Sequence, residues 1–190
     1  MPTHLYLAPA AAGKTATILD LARTTAQGLA GEARVVVASH LQVRAARRRL
    51  AEMGGAIGVR FLTFDRLYAE ILSAAAETYV ELSEPVQYRL IRALLDSPLS
   101  LRHYAPIAGR AGFIQVLQRL IAELKAAGIH PNDFADAVRA LGDEPRLAEL
   151  AQIYAAYQAR LGAQGWADRA GLGWLAVEAL RERAPDAARG

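Results

Sequence analysis

The residues that decide the fold stand at the start of the chain, where positions 3–15 read Thr-His-Leu-Tyr-Leu-Ala-Pro-Ala-Ala-Ala-Gly-Lys-Thr. Residues 3–8 predict a short β-strand, and the apolar periodicity that follows predicts a helix from about Lys14 to Gln27. A small residue, four intervening positions and Gly-Lys-Thr, placed between a strand and a helix, is the pattern of a phosphate-binding loop, or P-loop. Residues 8–15 are therefore predicted to bind phosphate.

The polar residues of this loop have separate predicted roles. Backbone N–H groups at the start of a helix converge on an anion, and the helix dipole favours negative charge there. The Lys14 ammonium is predicted to reach the terminal phosphates of ATP, and the Thr15 hydroxyl is predicted to ligate the Mg²⁺ that bridges them. Only two of the 22 basic residues are lysines, so lysine at this position is informative. The predicted nucleotide site comprises Ala8, Pro9, Ala10, Ala11, Ala12, Gly13, Lys14 and Thr15.

Alanine replaces glycine at two positions of the loop, and this limits the predicted affinity. Ala8 and Ala11 stand where such loops often have glycine. A left-handed alanine costs roughly 1–2 kcal/mol, which corresponds to about tenfold or more in nucleotide affinity if either residue must adopt a positive φ.

The remaining pattern predicts two regions. Strands at about 34–38 and 58–63 alternate with helices, which predicts a parallel sheet with right-handed crossovers. From about residue 83 the apolar residues recur only at helical spacing. The predicted fold class is α/β, with an incomplete RecA-like three-layer parallel P-loop sheet in residues 1–80 and an all-helical accessory domain in residues 81–190. Three strands are few for such a sheet, so further strands are expected beyond residue 190, and the exposed edge is a predicted site of self-association.

Composition excludes several classes of protein. Hydrophobic residues make up 53% and charged residues 22% of the 190 positions, which is typical of a folded globular chain. No apolar stretch approaches the roughly 20 residues that span a bilayer, and the first residues lack the pattern of a secretory signal, so a cytoplasmic protein without membrane contact is expected. The absence of cysteine excludes a disulfide, a thiol nucleophile and a cysteine-ligated metal within these residues.

The net charge of +3 arises in the first half of the chain, which holds a basic run on the helix after the second strand. Arg44, Arg47 and Arg48 belong to this run, together with Arg49. A solvated helix face is the more common explanation of such a pattern, and contact with the DNA backbone is the functional one. The helical spacing of Tyr154 and Tyr157 indicates core residues more than base-stacking platforms.

No catalytic carboxylate is predicted. A nucleotide-hydrolysing site needs an Asp at the end of a buried strand, and the nearest candidate is Asp65, which follows a strand that Arg60 and Thr63 interrupt. The prediction for Asp65 is an N-cap of the third helix, with metal ligation as the less favoured alternative. The chain alone is therefore not expected to turn nucleotide over.

The order of motifs resembles the N-terminal region of superfamily 1 helicase-like proteins. After the loop come Val35-Val-Val-Ala-Ser39 and Phe61-Leu-Thr-Phe64-Asp-Arg-Leu67. The chain is most similar to the B-type subunits, AddB or RexB, of the bacterial ATP-dependent helicase/deoxyribonucleases. Ala122-Glu-Leu-Lys125-Ala-Ala-Gly128-Ile129 and Ile153-Tyr154-Ala-Ala-Tyr157, with Asp168 downstream, resemble the helical segment of those proteins.

This resemblance implies a part of a machine that processes DNA double-strand breaks for recombinational repair. The implied partners are DNA and the A-type subunit of the helicase/nuclease. Thr63 and Phe64 match a motif that in true helicases touches single-stranded DNA, although Asp65 replaces the histidine that is common there. The cysteine-bearing nuclease region of the family cannot lie within these residues.

Two alternatives remain open from the sequence. The first is a small P-loop kinase or nucleotidase, which should show a lid with clustered arginines and a second acidic motif. The second is a degenerate P-loop that serves only as a scaffold, for DNA or for a partner of the helicase, and binds no nucleotide.

Overall fold

The chain folds into two compact units. A computed structural model describes residues 3–27, 31–96, 99, 101–142 and 144–183. The units are Met1–Leu67 and Tyr68–Gly190. These units are defined by their internal contacts, and the division into functional domains near residue 80 stays a prediction.

Short helices and strands follow one another along the described residues. In order, they are α1 (Lys14–Ala26), β1 (Ala33–Val37), α2 (His40–Glu52), β2 (Val59–Thr63), α3 (Phe64–Ala74), β3 (Val80–Glu81), α4 (Glu84–Leu95), a single 3₁₀ turn (Ala105–Ile107), α5 (Ala111–Ala126), α6 (Pro131–Ala140), α7 (Pro145–Gln164), β4 (Trp166–Ala167) and α8 (Gly171–Arg183).

The first unit is built on a two-stranded parallel sheet. β1 pairs with β2 in a register that places Val35 opposite Phe61, as expected of β-branched and aromatic residues in a parallel ladder. α2 begins after Ser39, whose hydroxyl accepts a hydrogen bond from the Gln42 N–H at 3.3 Å. The apolar residues of α1, α2 and β2 form one core, which contains Leu19, Val43, Ala46, Leu50 and Phe61.

The strand predicted over residues 3–8 is wrong, and within the described residues this sheet has two strands where three were expected. Residues 3–9 have no regular secondary structure, and the side chains of Leu5 and Leu7 are 82% and 84% exposed. A strand forms only where its N–H and C=O groups find a ladder partner. In the part of the chain that the structure describes, β1 pairs with β2 alone, so this apolar segment has no partner strand there.

The second unit has a large helical core. Tyr154 and Tyr157 of α7 are each 1% exposed, which confirms that these tyrosines belong to the core. A smaller cluster joins α3 to α8 around Leu72 and Ala176. The other members of the large core, mainly from α4, α5 and α7, are Leu82, Ile91, Leu95, Ile114, Leu117, Ile121, Ile153 and Leu161.

The prediction that the second half is entirely helical is wrong. β3 and β4 form a parallel pair in which Val80 lies opposite Trp166 and Glu81 opposite Ala167. Gly165, with φ of 63°, ends α7 and directs the next residues into an extended path. Strands of two residues carry no periodicity, so only the long-range pairing reveals them. The fold is mixed α/β.

Asp65 is not the N-cap of α3. It lies in the first turn of that helix, where a carboxylate complements the helix dipole. The capping group is the Thr63 hydroxyl, which accepts a hydrogen bond from the Arg66 N–H at 3.5 Å. Threonine is an accepted N-cap residue, and its place at the end of β2 leaves Asp65 two positions too late for this role.

Candidate functional site

The predicted phosphate-binding loop is sharply curved between residues 8 and 14. Gly13 precedes α1 with φ of 81° and ψ of 9°, and α1 begins at Lys14 rather than at Ala10. Ala11 also has a positive φ, of 61°. Left-handed residues in such a turn direct successive N–H groups to one side, which is the backbone geometry that holds anions.

The Lys14 side chain folds back onto the first two residues of the loop. Its Nζ donates hydrogen bonds to the carbonyl oxygens of Ala8 at 2.5 Å and Pro9 at 2.6 Å. Bonds from an ammonium to carbonyl oxygens are charge-assisted and stronger than neutral ones. The lysine, although exposed, therefore stabilises the curvature of the loop.

Ala11 carries backbone strain in this loop. Of the two alanines that stand where glycine is common, Ala11 adopts a positive φ and Ala8 does not. The cost of a left-handed alanine is about 1–2 kcal/mol. The loop keeps this conformation because the Lys14 bonds and the start of α1 fix the residues on either side.

A cavity of about 570 Å³ opens beside the loop, between α1 and α2. Of the predicted nucleotide-binding residues, the five from Ala11 to Thr15 line this cavity, and Ala8, Pro9 and Ala10 do not. The first turn of α1 contains no acidic residue, so nothing in that turn repels an anion. The far side of the cavity is formed by Arg49 and Glu52 near the end of α2, and by Met53.

The residues at this cavity suit Mg²⁺ only in part. Thr15 lines it and carries a hydroxyl, the group that holds Mg²⁺ in phosphate-binding loops. Among the described residues, there is no group of three or more His, Asp or Glu side chains that could bind a metal without help. Asp65 is not among the lining residues. Mg²⁺ here would depend on phosphate oxygens and water for most of its ligands.

The arginines of α2 lie on its exposed face. Val43, Ala46 and Leu50 are buried, and Arg44, Arg47, Arg48 and Arg49 are not. The spacing of the three buried residues turns one face of this helix inward and leaves the basic side chains outside the core. Arg48 is bonded to Glu52 at 3.0 Å, an exposed pair one turn apart.

Only two of the predicted DNA-binding residues lie in a common groove. This groove, the α2–β2 groove, has a volume of about 420 Å³ and contains Arg47 and Thr63. Arg44, Arg48 and Phe64 do not line it, although the Phe64 ring is 51% exposed. Its other lining residues are His40, Val43, Val59, Arg60, Phe61, Leu62 and Arg66.

The α2–β2 groove also contains three basic residues that were not predicted from the sequence, namely His40, Arg60 and Arg66. They lie on three different elements, so no single stretch of basic residues shows them. A usable signal exists at Arg60, because a charged residue in an otherwise apolar strand indicates an exposed strand position. Its guanidinium contacts Glu32 at 3.1 Å, and the hydrogen bonds from Arg60 and Arg34 hold the pKa of Glu32 below its usual value.

A buried ionic cluster lies in the second unit. Lys125 Nζ donates to Asp168 Oδ2 at 2.7 Å, and the Tyr157 hydroxyl donates to the same oxygen at 2.9 Å. Burial lowers the pKa of Lys125 despite the opposing effect of Asp168, because desolvation disfavours the ammonium. Burial and the Asp168 charge raise the pKa of Tyr157. No partner for Lys125 was predicted, because Asp168 lies 43 residues further along the chain.

Glu149 fixes a loop of the second unit. Its carboxylate accepts hydrogen bonds from the backbone N–H groups of Arg102, His103 and Tyr104 at 2.7, 2.6 and 2.9 Å. Burial raises the pKa of Glu149, but the three backbone hydrogen bonds together outweigh burial and hold it below its usual value. The sequence contains no signal for this contact, because backbone donors are the same at every position.

No helix of the described residues is both long and apolar enough to cross a membrane. A family model described as "ADDB, N-terminal" matches residues 5–184. A curated protein of Moorella thermoacetica, the B-type subunit of an ATP-dependent helicase/deoxyribonuclease, is 31% identical over 170 residues. That match covers 81% of this chain and 15% of the relative, so the chain spans a small fraction of that protein's length.

Proposed function

The chain belongs to the family of AddB N-terminal domains, and from this membership we propose that it serves in an ATP-dependent helicase/deoxyribonuclease that processes broken DNA ends. In this proposal residues 1–80 are a P-loop half-domain of the RecA-like kind, and residues 81–190 are a helical accessory domain. The partners are DNA and the A-type subunit, and the protein works in the cytoplasm. The name of the relative supports the enzyme class.

The nucleotide-binding part of the proposal places a nucleoside triphosphate at residues 8–15. The observation that carries it is the curvature of the loop, with left-handed Ala11 and Gly13 in front of α1 and the Lys14 ammonium held beside them. Lys14 is positioned to move from the loop carbonyls to phosphate oxygens. Mg²⁺ would be held by Thr15 and would neutralise part of the phosphate charge.

The DNA-binding part of the proposal places a nucleic acid strand along the α2–β2 groove. Arg47 and Thr63 line the groove, and three further basic side chains surround them. Phosphate contacts from arginine and a threonine hydroxyl are common in protein–DNA complexes. The exposed Phe64 ring, next to Thr63, offers a surface on which a base can stack. Arg44 and Arg48 would contribute by long-range attraction from the same helix.

Titration with a fluorescent ATP analogue tests the nucleotide site. The wild-type protein and Lys14→Ala are compared, with Arg44→Gln, an exposed basic residue that does not line the cavity, as the control. Lys14→Ala is expected to lose most of the binding, since it removes both the charge and the bonds to Ala8 and Pro9. Equal affinity of wild type and Lys14→Ala rejects the nucleotide site.

Two observations favour the alternative of a degenerate loop that serves as a scaffold. Ala11 stores strain that a glycine would relieve, and Lys14 already has two acceptors within the loop. In that case the wild-type protein binds no ATP analogue but retains DNA binding that weakens steeply with salt. The same titration, repeated with a labelled oligonucleotide, separates the two functions.

A further inference from the structure

The cavity beside the phosphate-binding loop has a second basic group on its far side. Arg49 and Glu52 lie in the last turn of α2, across the cavity from Gly13, Lys14 and Thr15. The sequence predicts a solvated face or a DNA contact for the basic run that includes Arg49, and it predicts no nucleotide contact there. The lining places Arg49 with the loop and not with the α2–β2 groove.

In the described part of the cavity, the one carboxylate is bonded to Arg48 and not to Arg49. Glu52 is the one acidic residue of the described lining, and Arg48, from outside the cavity, bonds to it at 3.0 Å. The Arg49 side chain is exposed and has no hydrogen bond or ion pair with any residue that the structure describes. A planar guanidinium presents paired donors that match two phosphate oxygens.

The rest of the described lining offers little that could read a base. It consists of alanines, Gly13, Lys14, Thr15, Leu19, Arg49, Glu52 and Met53, with no aromatic ring and no amide side chain. Sites that discriminate between bases usually do so with hydrogen bonds to the base edge. The wrong base leaves polar groups of such a site without a partner and therefore binds more weakly. The donors of this lining are the Lys14 ammonium, the Thr15 hydroxyl, the Arg49 guanidinium and backbone N–H groups, all of which suit phosphate.

We propose that Arg49 is a second phosphate ligand of the nucleotide site, so that the site recognises the polyphosphate chain of a nucleoside triphosphate rather than its base. This inference rests on the proposed nucleotide binding at Lys14. Binding would draw the guanidinium from solvent onto the phosphates across the cavity. ATP, GTP and inorganic tripolyphosphate would then compete for the same site with similar affinities.

Competition against a fluorescent ATP analogue tests this inference. Unlabelled ATP, GTP and tripolyphosphate are titrated against the wild-type protein, Arg49→Gln, Arg49→Lys and Lys14→Ala. The matched control is Arg44→Gln, an exposed arginine of the same helix that does not line the cavity. Circular dichroism and thermal melts establish that each variant is folded.

The expected result is a loss of about tenfold in affinity for all three ligands in Arg49→Gln, typical of one charge-assisted contact, with no change in Arg44→Gln. Arg49→Lys should recover part of the loss, since it restores the charge without the planar fork. ATP and GTP should differ by no more than about threefold, because the described lining of the cavity offers no side chain that distinguishes the two bases.

Three outcomes overturn the inference while the nucleotide site survives. Arg49→Gln binds as tightly as wild type although Lys14→Ala does not, or Arg44→Gln weakens binding as much as Arg49→Gln, or ATP is preferred over GTP by more than about tenfold. If Lys14→Ala binds like wild type, or wild type does not bind, the proposed nucleotide site itself fails.

Discussion

One strained residue lies in the loop that is proposed to bind phosphate, and one buried carboxylate holds a loop of the second unit. Ala11 holds a left-handed conformation that costs an alanine free energy, in the loop proposed to bind phosphate. Strain of this kind is retained where the surrounding structure determines the conformation. Glu149 is the opposite case, a carboxylate that is satisfied by three backbone donors.

At Ala11 the expected effect of glycine is a more stable loop. Because Ala11 already has a positive φ in this structure, Ala11→Gly removes a penalty of about 1–2 kcal/mol from the folded protein, which the greater flexibility of glycine in the unfolded chain offsets in part. Thermal melts should therefore show a stability equal to or above that of the wild type. Ala12→Gly is the matched control and should be destabilised, because Ala12 has no positive φ and glycine relieves no strain there. Equal losses of stability in the two variants would mean that Ala11 is not strained.

The hydrogen bonds of Glu149 predict a pH-dependent contribution to stability. Glu149→Gln should lower the free energy of unfolding by about 1–3 kcal/mol near neutral pH, because the amide lacks the charge that strengthens the three bonds. Since the pKa of Glu149 is lowered in the folded state, its contribution is present above the unfolded pKa and is lost as the pH falls through the folded pKa.

Urea unfolding at about pH 7 and about pH 3 measures this contribution. The difference between wild type and Glu149→Gln should shrink at the lower pH. Glu123→Gln, at an exposed position of α5, serves as the control and should have little effect at either pH. A difference that stays constant with pH would exclude the carboxylate charge as its cause.

At the scale of secondary-structure elements, the second unit is held together where α5, α7 and the start of α8 meet. Lys125, Tyr157 and Asp168 form the buried ionic cluster, and the Gly171 N–H donates to Asp168 Oδ1 at 2.7 Å. The lysine and the aspartate are 2% and 4% exposed. Breaking such a buried pair is strongly destabilising, because it leaves one charge buried and unpaired.

Gly171 is required at the start of α8 by this close approach. A Cβ there would lie 2.8 Å from Asp168 Oδ1 and 3.3 Å from Lys125 Nζ. Gly171→Ala is expected to lower the free energy of unfolding by about 1–3 kcal/mol, as crowding in a packed interior does. Chemical denaturation measures the effect.

Gly162 provides the comparison for this substitution. It lies within α7, and a Cβ there meets no atom within 4 Å. Gly162→Ala should raise stability by about 0.5–1 kcal/mol, since alanine is the better helix former. If both substitutions have the same sign, the packing around Asp168 does not determine the residue at position 171.

At the scale of the whole molecule, the first unit combines a basic surface with a short sheet. β1 has one described partner, and the apolar side chains of Leu5 and Leu7 are exposed in the segment before α1. Pairing of this sheet edge with another copy or with another strand stays a prediction. The arginines of α2 and the α2–β2 groove give the first unit a basic surface, which the proposed DNA binding requires.

The groove and the wider helix face make different predictions for DNA binding. If a strand follows the α2–β2 groove, Arg47→Gln should weaken binding of a labelled single-stranded oligonucleotide several-fold and reduce the salt slope by about one ion. Arg44→Gln, on the same helix but outside the groove, should have a smaller effect. Equal losses in the two variants would indicate attraction by the whole helix face and would contradict binding in the groove.

The sequence by itself determined the elements whose signals are local. α1, β1 and β2 lie close to the predicted positions, because apolar periodicity and β-branched runs are readable over a few residues. The family was recognisable from the order of short motifs, and its membership is confirmed. The loop residues were likewise found from their spacing, although nucleotide binding there stays a prediction.

Only the tertiary structure decided which distant residues meet. Residues 3–8 have the composition of a strand but no ladder partner in the described chain, whereas β3 and β4 pair although each has two residues. Asp168 lies against Lys125, and Arg49 faces the loop, across separations that no local pattern records. Hydrogen-bond ladders, buried charges and cavity walls each need two partners, and the second partner is set by how the chain packs.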